Sequence, residues 1–322
     1  MITRREFGKL AMAGLAVARP GWTARPEGRA LRVGDAAADS TVNGVRLGAQ
    51  TYSFRELKRP AGASDSVDIL IGAMKEAGIS DCELWAPQVE PEFPTGARGR
   101  RGDPPSAEAV SAREHMRAWR LETPLDHFRG VKKKFDAAGI TIHGYNYSPN
   151  AGYTDAEIDR GFEMAKALGA PLITASTTLD VAKRIAPFAE QHKMVVAMHG
   201  HSNIADPNEF ATPDSFAAAM KMSKYFKVNL DIGHFTAADF DAVAYIRAHH
   251  ADITNLHLKD RKTHQGDNMP WGQGETPIRD VLQMVRKERW PIPCDIEYEY
   301  RGTGTSPEEV KKCMEYARQA LA

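Results

Sequence analysis

Along most of the chain, short apolar runs alternate with longer segments whose apolar positions recur with helical spacing. The first kind reads as strand and the second as amphipathic helix. Eight runs have strand character, at 45–52, 81–85, 140–145, 171–175, 194–199, 227–231, 253–258 and 293–298. Helical periodicity predicts helices over 66–77, 124–138, 155–168, 179–192, 213–225, 238–248, 277–287 and 306–320. Strictly alternating strands and helices imply βα units around a parallel sheet, and eight of them match the closed (β/α)8 TIM barrel. A doubly wound sheet is the competing arrangement, but no Gly-rich dinucleotide fingerprint follows the first run. One segment, 86–122, breaks the repeat. It is rich in Pro, Gly, Arg and Glu and reads as a long inserted loop, either a lid over the catalytic face or a solvated excursion.

Length and composition narrow this picture. A chain of 322 residues with 26% charged residues suits a soluble globular protein, and 45–322 is long enough to be one barrel domain. The 42 basic and 42 acidic residues balance, so nothing in the charge favours a nucleic-acid partner. The opening residues stand apart: 1–30 carry six basic groups against Glu6 and Glu27. A basic stretch, an apolar run from Leu10 to Ala18 and small residues at Ala16 and Ala18 follow the order of a signal peptide, and the run is too short to span a bilayer. Thr3-Arg4-Arg5-Glu6-Phe7-Gly8-Lys9 resembles the twin-arginine export signal. That resemblance implies a folded, exported, periplasmic protein with no stable membrane insertion once the signal at 1–30 is removed. Cys82, Cys294 and Cys313 form no CxxC pair and are read as buried thiols. The sequence leaves assembly into a homo-oligomer open.

The candidate chemistry sits at the C-terminal ends of the strand runs, where a barrel builds its active site. His143, His199, His201, His234 and His257 lie there. Residues two apart share a strand face, so His199 with His201, Asn229 with Asp231, Asn255 with His257 and Lys259, and Asp295 with Glu297 and Glu299 would all face one way. Charged and imidazole groups inside a barrel carry a desolvation cost that a bound cation or mutual pairing must offset. His199, Asp231, His257 and Glu297 therefore make a candidate ligand set for one divalent ion. Its mixed nitrogen and oxygen donors suit Mn²⁺, Zn²⁺, Co²⁺ or Fe²⁺ better than Ca²⁺ or Mg²⁺. Candidate general bases are Glu297, His199, His234, His143 and Lys259. Gln50, Glu83, Trp85, Tyr145, His201 and Trp271 are read as substrate-contacting residues, with the aromatics as a stacking wall for a sugar.

Five motifs, VAMHGH (196–201), NLDIGH (229–234), LHLKD (256–260), WGQGE (271–275) and IEYE (296–299), together resemble the sugar phosphate isomerase/epimerase group of xylose-isomerase-like barrels. The resemblance runs from about Gly48 to the C-terminus. It implies a single divalent metal and chemistry at a carbon next to a carbonyl, with Asp231, His257 and Glu297 on metal-ligand positions and His234 on a substrate-contacting one. Two departures matter. Where many members read roughly VALENH, this chain has Met198-His199-Gly200, which counts against a symmetric two-Glu proton exchange. The endonuclease branch carries an Asp-x-His after strand seven, whereas 266–272 read GDNMPWG, which disfavours DNA repair. No phosphate-binding motif is present, and export favours a non-phosphorylated sugar. The sequence thus points to a metal-dependent isomerase or epimerase of a keto sugar working through an enediolate. The alternatives are a lyase cleaving 3-keto-glycosides by β-elimination and a non-catalytic exported sugar-binding barrel.

Overall fold

A computed structural model describes residues 37, 39–60, 62–95 and 105–322. The signal read at 1–30 lies outside the described residues. Eight parallel strands form the sheet: β1 (Val45–Gln50), β2 (Asp81–Trp85), β3 (Thr141–Asn146), β4 (Leu172–Ala175), β5 (Val195–His199), β6 (Phe226–Asp231), β7 (Ile253–Leu258) and β8 (Cys294–Ile296). Each pairs with its sequence neighbour, and β8 pairs with β1, so the sheet closes on itself. This is the (β/α)8 barrel. Short antiparallel strands decorate it, Thr41–Val42 beside β1 and a hairpin of Asp260–Arg261 with Asn268–Met269.

Among the described residues, ten helices surround the sheet: α1 (Val67–Ala77), α2 (Ala107–Glu122), α3 (Leu125–Ala137), α4 (Asp155–Ala167), α5 (Leu179–His192), α6 (Pro213–Met220), α7 (Ile232–Ala237), α8 (Ala242–His249), α9 (Ile278–Glu288) and α10 (Ser306–Leu321). Their inner faces are apolar and buried, as with Ile278, Val281, Leu282 and Val285 of α9, each burial favouring the fold by about 1.5–3 kcal/mol. Local caps fix where helices begin. Thr154 and Glu157 form a reciprocal capping box at α4, and Thr305 with Glu308 does the same at α10.

The structure differs from the sequence reading in two places. The helix expected over 238–248 begins only at Ala242, as α8, and an additional short helix, α7, precedes it directly after Asp231. The insertion at 86–122 is not loop throughout, because its last 16 residues form α2. Arg120 of α2 is buried and donates to Glu90 from Nε (2.8 Å) and Nη2 (2.8 Å), with Glu157 of α4 beside it at 3.4 Å. Its guanidinium also lies over the Tyr153 ring at 4.5 Å. This end of the insertion therefore packs against the barrel's helical layer.

Candidate active site

Inside the sheet, the side chains expected to be apolar in a barrel are largely polar. Glu83, Asn229, Asn255 and Asp295 are fully buried, with His143 only 3% exposed. Most of their polar atoms satisfy one another, with Asn229 Oδ1 and Asp295 Oδ1 left unpaired. Glu83 accepts from Gln50 Nε2 (2.5 Å), Asn146 Nδ2 (3.0 Å), Asn229 Nδ2 (3.0 Å) and Asn255 Nδ2 (2.7 Å), and lies 2.9 Å from His257 Nε2. His143 bridges Asp81 through Nδ1 (2.7 Å) and Asp295 through Nε2 (3.0 Å), and Arg46 donates to Asp81 from the far side. Asn255 links the two groups by also donating to Asp295 (3.0 Å). Gly48 makes this possible, since a Cβ there would lie 2.4 Å from Asp295 Oδ1.

Above this layer, His199, Asp231, His257 and Glu297 each bring a ligand atom to within 4.8 Å of the others. The strand registers explain the convergence, because His199 pairs with Asn229 and Asp231 with His257 at the upper ends of β5, β6 and β7. Glu297 follows directly on β8, its amide donating to Leu258 O. Asp231 also caps α7 by accepting from the His234 amide at 2.7 Å. Its Oδ2 lies 3.1 Å from Lys259 Nζ, an ion-pair contact without hydrogen-bond geometry. His199 Nδ1 is buried without a partner. A buried imidazole nitrogen and a buried carboxylate oxygen left without hydrogen bonds, beside a second His and a second carboxylate, make a donor set that fits a divalent cation.

Lys259 completes the cluster. Its ammonium contacts Asp231 (3.1 Å), Glu297 (3.0 Å) and Glu299 (2.5 Å), and lies 3.1 Å from His234 Nε2. Gly233 is required for this passage, because a Cβ there would lie 2.2 Å from Lys259 Cγ. Burial would discharge the amine, but the three carboxylates outweigh it and hold Lys259 charged. Asp231 moves the other way, burial raising it to about 7 despite Lys259. Burial, reinforced by His257, keeps His199 neutral, and burial with Lys259 does the same for His234. Glu297 is held well below the usual carboxylate range by Lys259 and His257, against the effect of burial.

His199, His234, His257, Lys259, Glu297 and Glu299 line one pocket of about 310 Å³, whose outer wall is built from Tyr52, Trp85, Asn146, Ser148, Ser176 and His201. The Tyr52 and Trp85 rings meet edge to face at 4.9 Å. A pocket of this size and polarity at the C-terminal mouth of a (β/α)8 sheet can be compared with known proteins. Residues 73–320 match the family described as xylose isomerase-like TIM barrel. The chain belongs to that family.

No curated protein matches the chain significantly. Among solved structures, similar members of this barrel group include a sugar phosphate isomerase/epimerase from Parabacteroides distasonis (18% identity, TM-score 0.57, 90% of this chain and 99% of that one). The IolI protein solved with a bound zinc atom is 13% identical, with TM-score 0.58 over 86% of this chain and 98% of that one. The 3-keto-D-glucoside 4-epimerase YcjR from E. coli is 11% identical, with TM-score 0.56 over 85% of this chain and 99% of that one. At these identities the likeness is one of fold.

Within this xylose isomerase-like barrel, Gln50, Trp85, His199, His201, His234, His257, Lys259 and Glu297 all line the pocket. Five other residues singled out in the sequence do not. Asp231 is 1% exposed and lies against Lys259, behind the lining. Glu83 lies below the floor, where it accepts hydrogen bonds instead of touching a ligand. His143 is beneath it as well, both ring nitrogens engaged by carboxylates that raise it to about 10, so it is a buried cation and not a base within reach of the pocket. Tyr145 points the other way because β3 bulges: Cys82 pairs with Ile142 but Glu83 with Gly144, so His143 is the extra residue. The alternation then reverses, Tyr145 packs on Tyr147 and Met164 in the helical layer, and Asn146 takes the inward place. Trp271 lines a separate cleft with Tyr300 and Tyr316. Alternation also pointed to Glu299, which lines the pocket and grips Lys259. Tyr52, Ser148 and Ser176 sit just past strand ends, in loops that carry no sequence signal of orientation.

Proposed function

We propose that this protein is a divalent-metal-dependent isomerase or epimerase of a non-phosphorylated keto sugar, acting through an enediolate. The observation that carries the reading is the convergence of His199, Asp231, His257 and Glu297 beside a buried, charged Lys259 in a pocket of monosaccharide size. A divalent ion held by those four residues would polarise a carbonyl and stabilise negative charge on its oxygen as a neighbouring proton leaves. Glu297, kept ionised, is the carboxylate placed to take that proton, and Lys259 supplies fixed positive charge beside it. Neutral His234 and His201, with Ser176 and Asn146, offer hydrogen bonds to sugar hydroxyls. Lys259 is the only Lys or Arg lining this pocket among the described residues, and three carboxylates already hold it, which supports a neutral sugar over a sugar phosphate. The twin-arginine-like opening supports encounter with that sugar outside the cytoplasm.

The second reading, β-elimination from a 3-keto-glycoside, is favoured by His199. That position holds a neutral imidazole where a symmetric two-carboxylate proton exchange would have its second carboxylate, and an elimination needs only one carboxylate base. Proton NMR in D₂O with Mn²⁺-loaded protein separates the readings. A free ketohexose should acquire solvent deuterium at its α-carbon and yield a new isomer, whereas release of the aglycone from a 3-keto-glucoside with an unsaturated sugar establishes the lyase. Removing the metal with a chelator should abolish either reaction, and retained turnover would overturn metal dependence. Glu83→Gln should weaken Mn²⁺ binding about 10–100-fold by loosening the orientation of His257. A metal titration giving wild-type affinity would rule that out.

A further inference from the structure

The hairpin that follows β7 ties three neighbouring units of the barrel mouth together. Gln265 at its tip donates from its amide to Ala237 O at the end of α7 (2.8 Å) and from Nε2 to Ser202 O beyond β5 (2.6 Å). Arg261, on the first hairpin strand, engages its whole guanidinium. Nε and Nη2 donate to Gly266 O at 3.1 and 2.6 Å, and Nη1 donates to Ser202 Oγ at 3.0 Å and to His234 Nδ1 at 2.8 Å. Gly266 is required in this turn, since a Cβ there would lie 2.4 Å from Lys262 Cβ. Arg261 is thereby fixed in place, and it does not itself line the main pocket.

His234 is the informative residue, because a cationic donor approaches each of its ring nitrogens: Arg261 at Nδ1, and the Lys259 ammonium at Nε2 (3.1 Å). A neutral imidazole has one lone pair and one N–H, so it can accept from only one of them. Protonating it would place a third positive charge between two others, at a cost that rules out that state. What each cation can do otherwise decides between them. The guanidinium never gives up a proton and is held by its bonds to Gly266 and Ser202. The ammonium can turn its protons to carboxylates, with Glu299 at 2.5 Å and Glu297 and Asp231 at 3.0 and 3.1 Å. The Arg261 contact is also the shorter of the two. Nδ1 therefore accepts from Arg261, and the ring proton sits on Nε2.

We propose that Arg261 is a positioning residue that holds His234 as the Nε2–H tautomer, which makes His234 a fixed hydrogen-bond donor to a substrate oxygen in the main pocket and not a base. His234 and Lys259 both line that pocket with these nitrogens 3.1 Å apart, so one oxygen can face both donors. The inference rests on the sugar reading for its substrate. The oxygen served is the one that gains negative charge as the enediolate forms, where donors fixed in advance act most strongly.

Nitrogen NMR of the Zn²⁺-loaded full chain labelled with ¹⁵N-histidine tests this, with the His234 signals identified by their loss in His234→Gln. The wild-type protein should show a single ring proton on His234, at Nε2. In Arg261→Leu the remaining donor is Lys259, so Nε2 should accept from it and the proton should move to Nδ1. The same variant should lower kcat for D-fructose about 100-fold with KM nearly unchanged. His234→Gln supplies an amide donor whose state does not depend on Arg261, so adding Arg261→Leu to it should cost little more. A full, additive loss would mean that Arg261 acts through the fold of the hairpin, and would overturn the inference. A wild-type proton on Nδ1, protons on both nitrogens, or a tautomer unchanged in Arg261→Leu would overturn it too. The tautomers are read without substrate. The expected spectra with no turnover of D-fructose or D-tagatose would therefore leave the tautomer assignment standing and overturn the ketohexose reading alone.

Discussion

Glu297→Gln is expected to fold like the wild type and to lose turnover and solvent-deuterium exchange by about 10²–10⁴-fold. The substitution keeps the size of the side chain and removes its charge. Glu297 Oε2 faces His257 Nδ1 at 3.1 Å and Lys259 Nζ at 3.0 Å, so the amide could still accept from both, and the fold should survive. On the proposed reading three roles would be lost together: an anionic metal ligand, the ionised base, and one of three carboxylates holding Lys259 charged. The Mn²⁺ isotherm should therefore weaken along with kcat. Exchange at the wild-type rate in a folded Glu297→Gln protein would remove Glu297 as the base and move that role to Glu299 or His234. A loss confined to metal affinity, with full exchange at saturating Mn²⁺, would leave Glu297 as ligand alone.

His143→Leu is expected to destabilise the protein by about 3–5 kcal/mol, because it leaves Asp81 and Asp295 buried without the cation between them. In a domain of this size that lowers Tm on the order of 10 °C. The pH dependence identifies the cause. Folding raises His143 from an ordinary value near 6.5 to about 10, so its contribution is fully present below about pH 6.5 and is lost as pH rises through about 10. The stability gap between wild type and His143→Leu, measured by chemical denaturation, should be largest near pH 6 and should narrow steadily towards pH 10. A gap that does not change with pH would mean that the substitution acts through packing and not through charge.

Much of this protein follows from its sequence. The eight alternations of strand and helix specify a closed barrel because a parallel strand must be followed by a crossover, and eight such units suffice to close the sheet. The two-residue spacing within NLD, NLHLK and DIEYE sends Asp231, His257, Lys259, Glu297 and Glu299 to one face. The register then brings them to one height, as Asp231 beside His257 shows.

What the sequence did not determine depends on features that alternation cannot express. One extra residue in β3 reverses the parity after His143, turning Tyr145 out to the helical layer and Asn146 into the barrel. Depth along a strand is likewise set by the stagger of neighbouring strands. Glu83 and His143 share the inward face with true pocket residues but sit a layer below them, where they orient His257 and balance charge instead of meeting a ligand. Loop residues such as Tyr52 and Trp271 are placed by turns and by packing between distant segments. Only the tertiary structure could decide that Trp271 lines a separate cleft, and that Trp85 is a wall of the pocket beside Tyr52. A strand's side-chain period is local and legible, whereas bulges, stagger and loop packing are settled by contacts between residues far apart in the chain.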